Sequence, residues 1–163
     1  MRLEACGGSH HWGRVLREMG HNVRLIPPQY VKPFVKRSKN DRNDAEAINE
    51  AADRPSMRSV AIKTTGQQAQ GMILKHRDML VGQRTQAINA LRGHAAEFGV
   101  VVAQGTSKMT ALLELLTAEN GIPVIAVAMF AQMGAHIESL TERIAAWTRN
   151  WQNCTRQTPS ARR

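Results

Sequence analysis

The chain has few cysteines, few aromatics and no long uninterrupted apolar run. Its two cysteines, Cys6 and Cys154, stand near opposite ends of 163 residues. Neither belongs to a CxxC or Cys/His spacing, so a thiolate zinc site is not expected, and two distant cysteines make no disulfide framework. A reducing compartment fits. Aromatic residues make up only 4% of the chain. A core must therefore come from Leu, Ile, Val, Ala and Met, for which an apolar fraction of 42% suffices. The longest nearly apolar run, Ile122 to Ala131, contains Pro123 and falls short of the roughly 20 residues a membrane helix needs. The N-terminus, Met1-Arg2-Leu3-Glu4-Ala5-Cys6, lacks the apolar region of a signal peptide. A cytoplasmic protein with no membrane partner is expected.

Acidic residues are also scarce. Asp and Glu number 13 against 22 Lys and Arg, a net charge of +9. A surplus of this size favours an anionic partner, nucleic acid before an anionic membrane surface. The plain alternative is a soluble protein with extra surface Lys and Arg.

The pattern changes near Thr64. Before it, Arg2 to Cys6 reads as the end of a strand and Gly7-Gly8-Ser9 as a turn. His10 to Met19 reads as a helix, with Trp12, Val15, Leu16 and Met19 on one apolar face. Gly20 is a natural stop. Asn22 to Ile26 reads as a strand ended by Pro27-Pro28. Strand, helix and strand in this order suggest a parallel α/β unit. Residues 29–40 read as a basic loop, residues 41–52 as a helix with Ala45, Ile48 and Ala52 on one face, and Arg58 to Lys63 as a third strand.

After Thr64 the pattern is helical. No proline interrupts residues 67–98. Leu74, Val81, Ile88 and Ala95 recur every seven residues, and Arg77 and Arg84 break the seam, which favours a helical hairpin over an autonomous coiled-coil dimer. Lys108 to Leu116 is a short helix. A final helix runs from Val124 to Trp151, with Ile137, Leu140, Ile144, Trp147 and Trp151 on its seam. Residues 152–163 lose periodicity and read as a disordered basic tail, leaving Trp147 and Trp151 little cover. The expected organisation is 1–63 α/β, 64–151 helical or coiled-coil-like, and 152–163 tail.

The chemistry-bearing residues are acidic. Asp41 and Asp44, three apart, share a helix face. With Glu4 at a strand end they would supply hard oxygen ligands for Mg²⁺ or Mn²⁺ and for phosphodiester chemistry. DxxD alone is weak, because many solvated helix faces carry it. Arg24, Lys32, Lys36, Arg37, Lys39 and Arg42 surround this motif in sequence, as a phosphate backbone near a metal would require. Arg84 and Arg92 on the long helix are further candidate nucleic-acid contacts. His10, His11 and His21 are candidate acids or bases, with a structural role the simpler reading of each. Gly7-Gly8-Ser9 lacks the lysine of a phosphate loop, and Ser9 has no evident Asp/His partners.

Ordered motifs carry a closer resemblance. Leu3-Glu4-Ala5-Cys6-Gly7, Trp12-Gly13-Arg14-Val15-Leu16, the run from Gly20 to Phe34, Lys39 to Ile48, Arg54 to Arg58 and Gln83 to Gly93 together resemble the DEDD transposases of insertion-sequence family 110. Relatives of that family include the pilin-gene inverting recombinases. The resemblance implies a partial ribonuclease-H-like fold, similar to Holliday-junction resolvases, followed by a long-helix region. It implies a divalent-metal site of four acidic residues, in which Glu4 matches the strand glutamate and Asp41 and Asp44 match the helix pair. No residue matches the family's first aspartate, because the pattern enters at the glutamate-bearing strand. The chain also stops before the family's C-terminal domain and its serine.

DNA is the implied substrate. A guide-like RNA and self-association through the helical region are implied possible partners. A chain incomplete at both ends and unable to transpose alone is expected. The alternative is a non-catalytic remnant that binds nucleic acid, or pairs with an intact transposase and modulates it.

Overall fold

A computed structural model describes residues 1–36, 40–103, 105 and 108–157. The chain divides into two units, Met1–Gln68 and Ala69–Arg163.

The first unit is built on two short parallel strands, β1 (Arg2–Glu4) and β2 (Arg24–Ile26), in register Arg2 with Arg24, Leu3 with Leu25 and Glu4 with Ile26. Helix α1 (Ser9–Glu18) joins them. It stops at Gly20, whose φ of 86° suits glycine, while the His21 N–H closes on the Leu16 carbonyl at 3.0 Å. The parallel strand–helix–strand unit expected from the sequence is therefore present.

The apolar stripe of α1 faces differently from expectation. Trp12 and Met19 are 57% and 68% exposed, while Ser9 and Gly13 are buried. Ile62 lies against Gly13, so closely that a Cβ there would stand 2.8 Å from Ile62 Cδ1. The Lys63 N–H donates to His10 Nδ1 at 3.2 Å, and Arg14 Nη1 donates to the Lys63 carbonyl at 2.8 Å and to Gln68 Oε1 at 2.9 Å. These contacts draw residues 62–68 onto α1. They also explain why the third strand expected over 58–63 is reduced to a single antiparallel bridge, Val60 with Leu25. The chain leaves β2 after one pairing in order to reach the helix.

The expected basic loop is partly helical. Helix α2 (Pro28–Val31) and a 3₁₀ turn (Lys32–Phe34) follow β2 directly. Proline is tolerated in a first helical turn, where its missing N–H costs no bond, so Pro27-Pro28 ends the strand and starts a helix. Helix α3 (Asp41–Asp53) opens at Asn40, whose side chain accepts from the Asn43 N–H at 2.8 Å. Its small residues Ala47, Ala51 and Ala52 are buried in one cluster with Ile26 and Val31. Alanine at these positions lets the helix approach the sheet closely.

The second unit is an antiparallel helical hairpin. Helix α4 (Thr65–Ala96) crosses the unit boundary, and α5 (Met109–Leu115) and α6 (Val124–Gln157) follow. Leu91 and Ala95 share a buried cluster with Phe130 and Ile137, while Leu80 packs with Leu140 and Ile144. His76 meets Trp147 edge-on, and Arg77 Nε donates to Thr148 Oγ1 at 3.1 Å. Rising numbers on α4 thus meet falling numbers on α6. The buried line on α4 runs through Leu80, Leu91 and Ala95, and the expected seam residue Leu74 is 37% exposed. A helix that also packs on Met109 and Leu112 of α5 follows a broader stripe than a strict seven-residue seam.

Trp147 is half-buried against the cluster of Leu80, Leu140 and Ile144, edge-on to His76, rather than left uncovered. Helix α6 continues past Trp151 to Gln157, so the loss of apolar periodicity there does not end the helix. The span Val124–Cys154, with mean hydropathy 1.3, is long and apolar enough by composition to cross a membrane, unlike the run Ile122 to Ala131 considered from the sequence. In this fold its buried residues, Phe130, Ile137, Leu140 and Ile144, are core of the hairpin.

Candidate functional site

Glu4 closes β1 and is half-buried beside Ile26. Asp41 and Asp44 occupy the first turn of α3, Asp41 exposed and Asp44 half-buried. Two arginines orient strands and helix. Arg2, at the start of β1, reaches Asp53 and Asn49, and Arg24, at the start of β2, donates to the Ala52 carbonyl at 3.2 Å. The strand starts therefore meet the last turns of α3. Carboxyl ends of parallel strands are where α/β sheets place ligands. The three carboxylates do not converge on one ion, however. Among the described residues no group of three or more His, Cys, Asp or Glu side chains could hold a metal.

The basic residues sort by what they touch. Arg24 is directed inward, with Nη2 also 3.5 Å from the Met57 carbonyl, and acts as a cap on the end of α3. Lys32 is exposed on the 3₁₀ turn, and the Arg42 side chain is 88% exposed on α3. Lys36 Nζ donates to Glu46 Oε2 at 2.7 Å. That hydrogen bond, then the opposite charge, holds the Lys36 pKa above its ordinary value and Glu46 below its own. Arg42 Nε contacts the other oxygen of Glu46 at 3.4 Å. Arg37 and Lys39 lie outside the described residues.

In the second unit, Arg92 Nη2 donates to the Val102 and Ala103 carbonyls at 2.6 and 2.7 Å, fastening the segment that follows α4. Arg84 is half-buried, and its Nε is enclosed without a hydrogen-bond partner. Lys32 and Arg42 are thus the candidates freest to meet a phosphate backbone, whereas Arg24 and Arg92 are engaged with main-chain carbonyls.

His10 has the structural role that was its simpler reading, accepting from the Lys63 N–H. One feature escaped the sequence reading. Trp12 is a surface residue. The readable signal was the pair of small residues Ser9 and Gly13, four apart, which marks the face of α1 that admits a close neighbour. In the second unit, Ile88, Met109, Leu113, Gly134 and Ile137, with Glu138 and Glu142, line an open groove of about 790 Å³.

Residues 3–100, more than half of the chain, match the family of DEDD transposases of IS110, described as transposase. The chain is 51% identical over 142 residues to a transposase of Sinorhizobium fredii, covering 87% of this chain and 37% of that protein. It is 49% identical over 120 residues to the transposase for insertion sequence element IS1111A of Coxiella burnetii, covering 74% and 33%. It is 38% identical over 151 residues to the transposase for insertion sequence element IS1328 of Yersinia enterocolitica, covering 93% and 45%. The chain thus spans less than half the length of these relatives. No solved structure matches it.

Proposed function

The chain belongs to the DEDD transposase family of IS110, and on that premise we propose that it serves DNA transposition as a nucleic-acid-binding piece of the strand-cleaving machinery. Its first unit is read as part of a ribonuclease-H-like domain. By the resemblance, Glu4, Asp41 and Asp44 match three of the carboxylates from which the family's Mg²⁺ or Mn²⁺ site is drawn. The observation that carries the reading is their placement within one matched stretch and one packed unit, on the carboxyl end of β1 and the first turn of α3. Lys32 and Arg42, exposed near that helix turn, fit the approach of a phosphate backbone. Because the three carboxylates do not converge on an ion, the reading assigns binding, and no cutting, to this chain alone.

Nicking of supercoiled and branched DNA in Mg²⁺ or Mn²⁺, by the purified chain and by its Asp41→Asn/Asp44→Asn variant, tests this. Neither protein should cut, and the double variant should bind DNA as tightly as the parent or more tightly, since it has lost negative charge. Cutting by the parent alone would show that Glu4, Asp41 and Asp44 suffice for a working site and would overturn the assignment.

A second reading, pairing with another transposase chain, is favoured by the open apolar groove between α4, α5 and α6. Self-association through the helical unit, and binding of a guide-like RNA by the same basic chemistry, belong to this proposal. Sedimentation of the chain alone, and with the element's end-derived RNA, tests both.

A further inference from the structure

Trp12 is 57% exposed, although an indole is among the side chains that gain most from burial. It is held in place from one side. The His11 ring meets it edge-on, with centroids 5.4 Å apart and planes at 68°. Beneath it is the Gly8 turn, where an added Cβ would stand 3.9 Å from Trp12 Cδ1. That turn, Cys6 to Gly8, links the Glu4 end of β1 directly to the first turn of α1. The side of α1 that packs inward is taken by Ser9, Gly13 and Arg14, and the described residues of this chain leave the indole exposed.

From this geometry we propose that Trp12 is a stacking platform for an unpaired nucleobase beside the Glu4 end of the site. The proposal rests on the nucleic-acid reading above and deepens it. An occupant with an aromatic face and an anionic backbone suits an exposed indole on a chain of net charge +9. His11, polar and aromatic, borders the indole on one side. Every base has a π-face, so the platform would serve strands of any sequence.

The test uses the full chain and its Trp12→Ala, Trp12→Phe and Trp12→Leu variants, each checked for an unchanged cooperative melt. Affinity is measured by fluorescence anisotropy for labelled oligothymidylate and for an equally long oligonucleotide of abasic sites. Trp12→Ala should weaken oligothymidylate binding roughly 5- to 150-fold, within the range for one stacked base, and leave the abasic strand unaffected. Trp12→Phe should recover most of the loss, and Trp12→Leu should not. Recovery by Trp12→Leu would replace stacking with an apolar contact and overturn the proposal. Equal losses on both strands would also overturn it, as would parent-like binding by Trp12→Ala. If the parent binds neither strand nor duplex DNA, the nucleic-acid reading itself falls. Binding of duplex without dependence on Trp12 removes only the platform.

Discussion

Arg2, the first residue of β1, closes its guanidinium on the Asp53 carboxylate and lies 3.3 Å from Asn49 Oδ1, tying the strand that carries Glu4 to the helix that carries Asp41 and Asp44. The pair is partly exposed and therefore modest. Arg2→Met should cost about 0.5–1 kcal/mol in a urea melt at low salt. Asp53→Asn should cost a similar amount, and the double variant less than the sum. Additive losses would show that the two residues do not act as a pair.

A tighter constraint lies in the helical unit. A Cβ at Gly134 would stand 2.7 Å from Leu113 Cδ1 and 3.2 Å from Cδ2. Gly134→Val should destabilise the hairpin by about 1–3 kcal/mol through overpacking, despite the gain in helix propensity over glycine. Adding Leu113→Ala should recover part of the loss, measured by thermal melts of the single and double variants.

Phe130 is 1% exposed and meets Phe98 edge-on with centroids 6.0 Å apart. Phe130→Ala should cost about 3–5 kcal/mol, because it empties the center of the larger core cluster. A membrane-embedded α6 would instead tolerate that change and lose its cooperative melt in detergent-free buffer.

The Lys36–Glu46 pair sets a pH window. Glu46, held below its ordinary carboxyl pKa by the hydrogen bond from Lys36, adds stability above that ordinary value and loses it as pH falls through the lowered one. Lys36, held above its ordinary value by the bond to Glu46, adds stability below that value and loses it as pH rises through the raised one. The pair is therefore intact between the ordinary carboxylate and lysine values of 4.5 and 10.5. Lys36→Met should lower the melting temperature slightly at pH 7 in low salt, and not at pH 2 or in high salt. Glu46→Gln should free Lys36 and tighten DNA binding. Weaker binding by Glu46→Gln would place Lys36 outside the interface.

Much of this was legible in the sequence, for local reasons. Gly20 after Met19 and the proline-free run through Leu91 report chain reversal and helix propensity, both of which act within a few residues. What was not legible depends on contacts distant in sequence. The exposed side of α1 is decided by Ile62, forty-nine residues from Gly13, and the single bridge at Val60 is decided by His10 and Arg14 drawing residues 62–68 away. The line of Leu80, Leu91 and Ala95 is set by α5 and α6 together, which no period within α4 reports. The acidic motif was visible by residue type. That its three carboxylates do not meet at one ion is a matter of three-dimensional distance.

The most direct test of the central claim is the salt dependence of branched-DNA binding by the folded chain, with and without Lys32→Ala/Arg42→Ala. The account predicts that log K falls linearly with log salt concentration, with a slope of several units, and that the double variant reduces that slope by about 2, one for each phosphate contact removed. A flat salt dependence, or a slope unchanged in the variant, would contradict it.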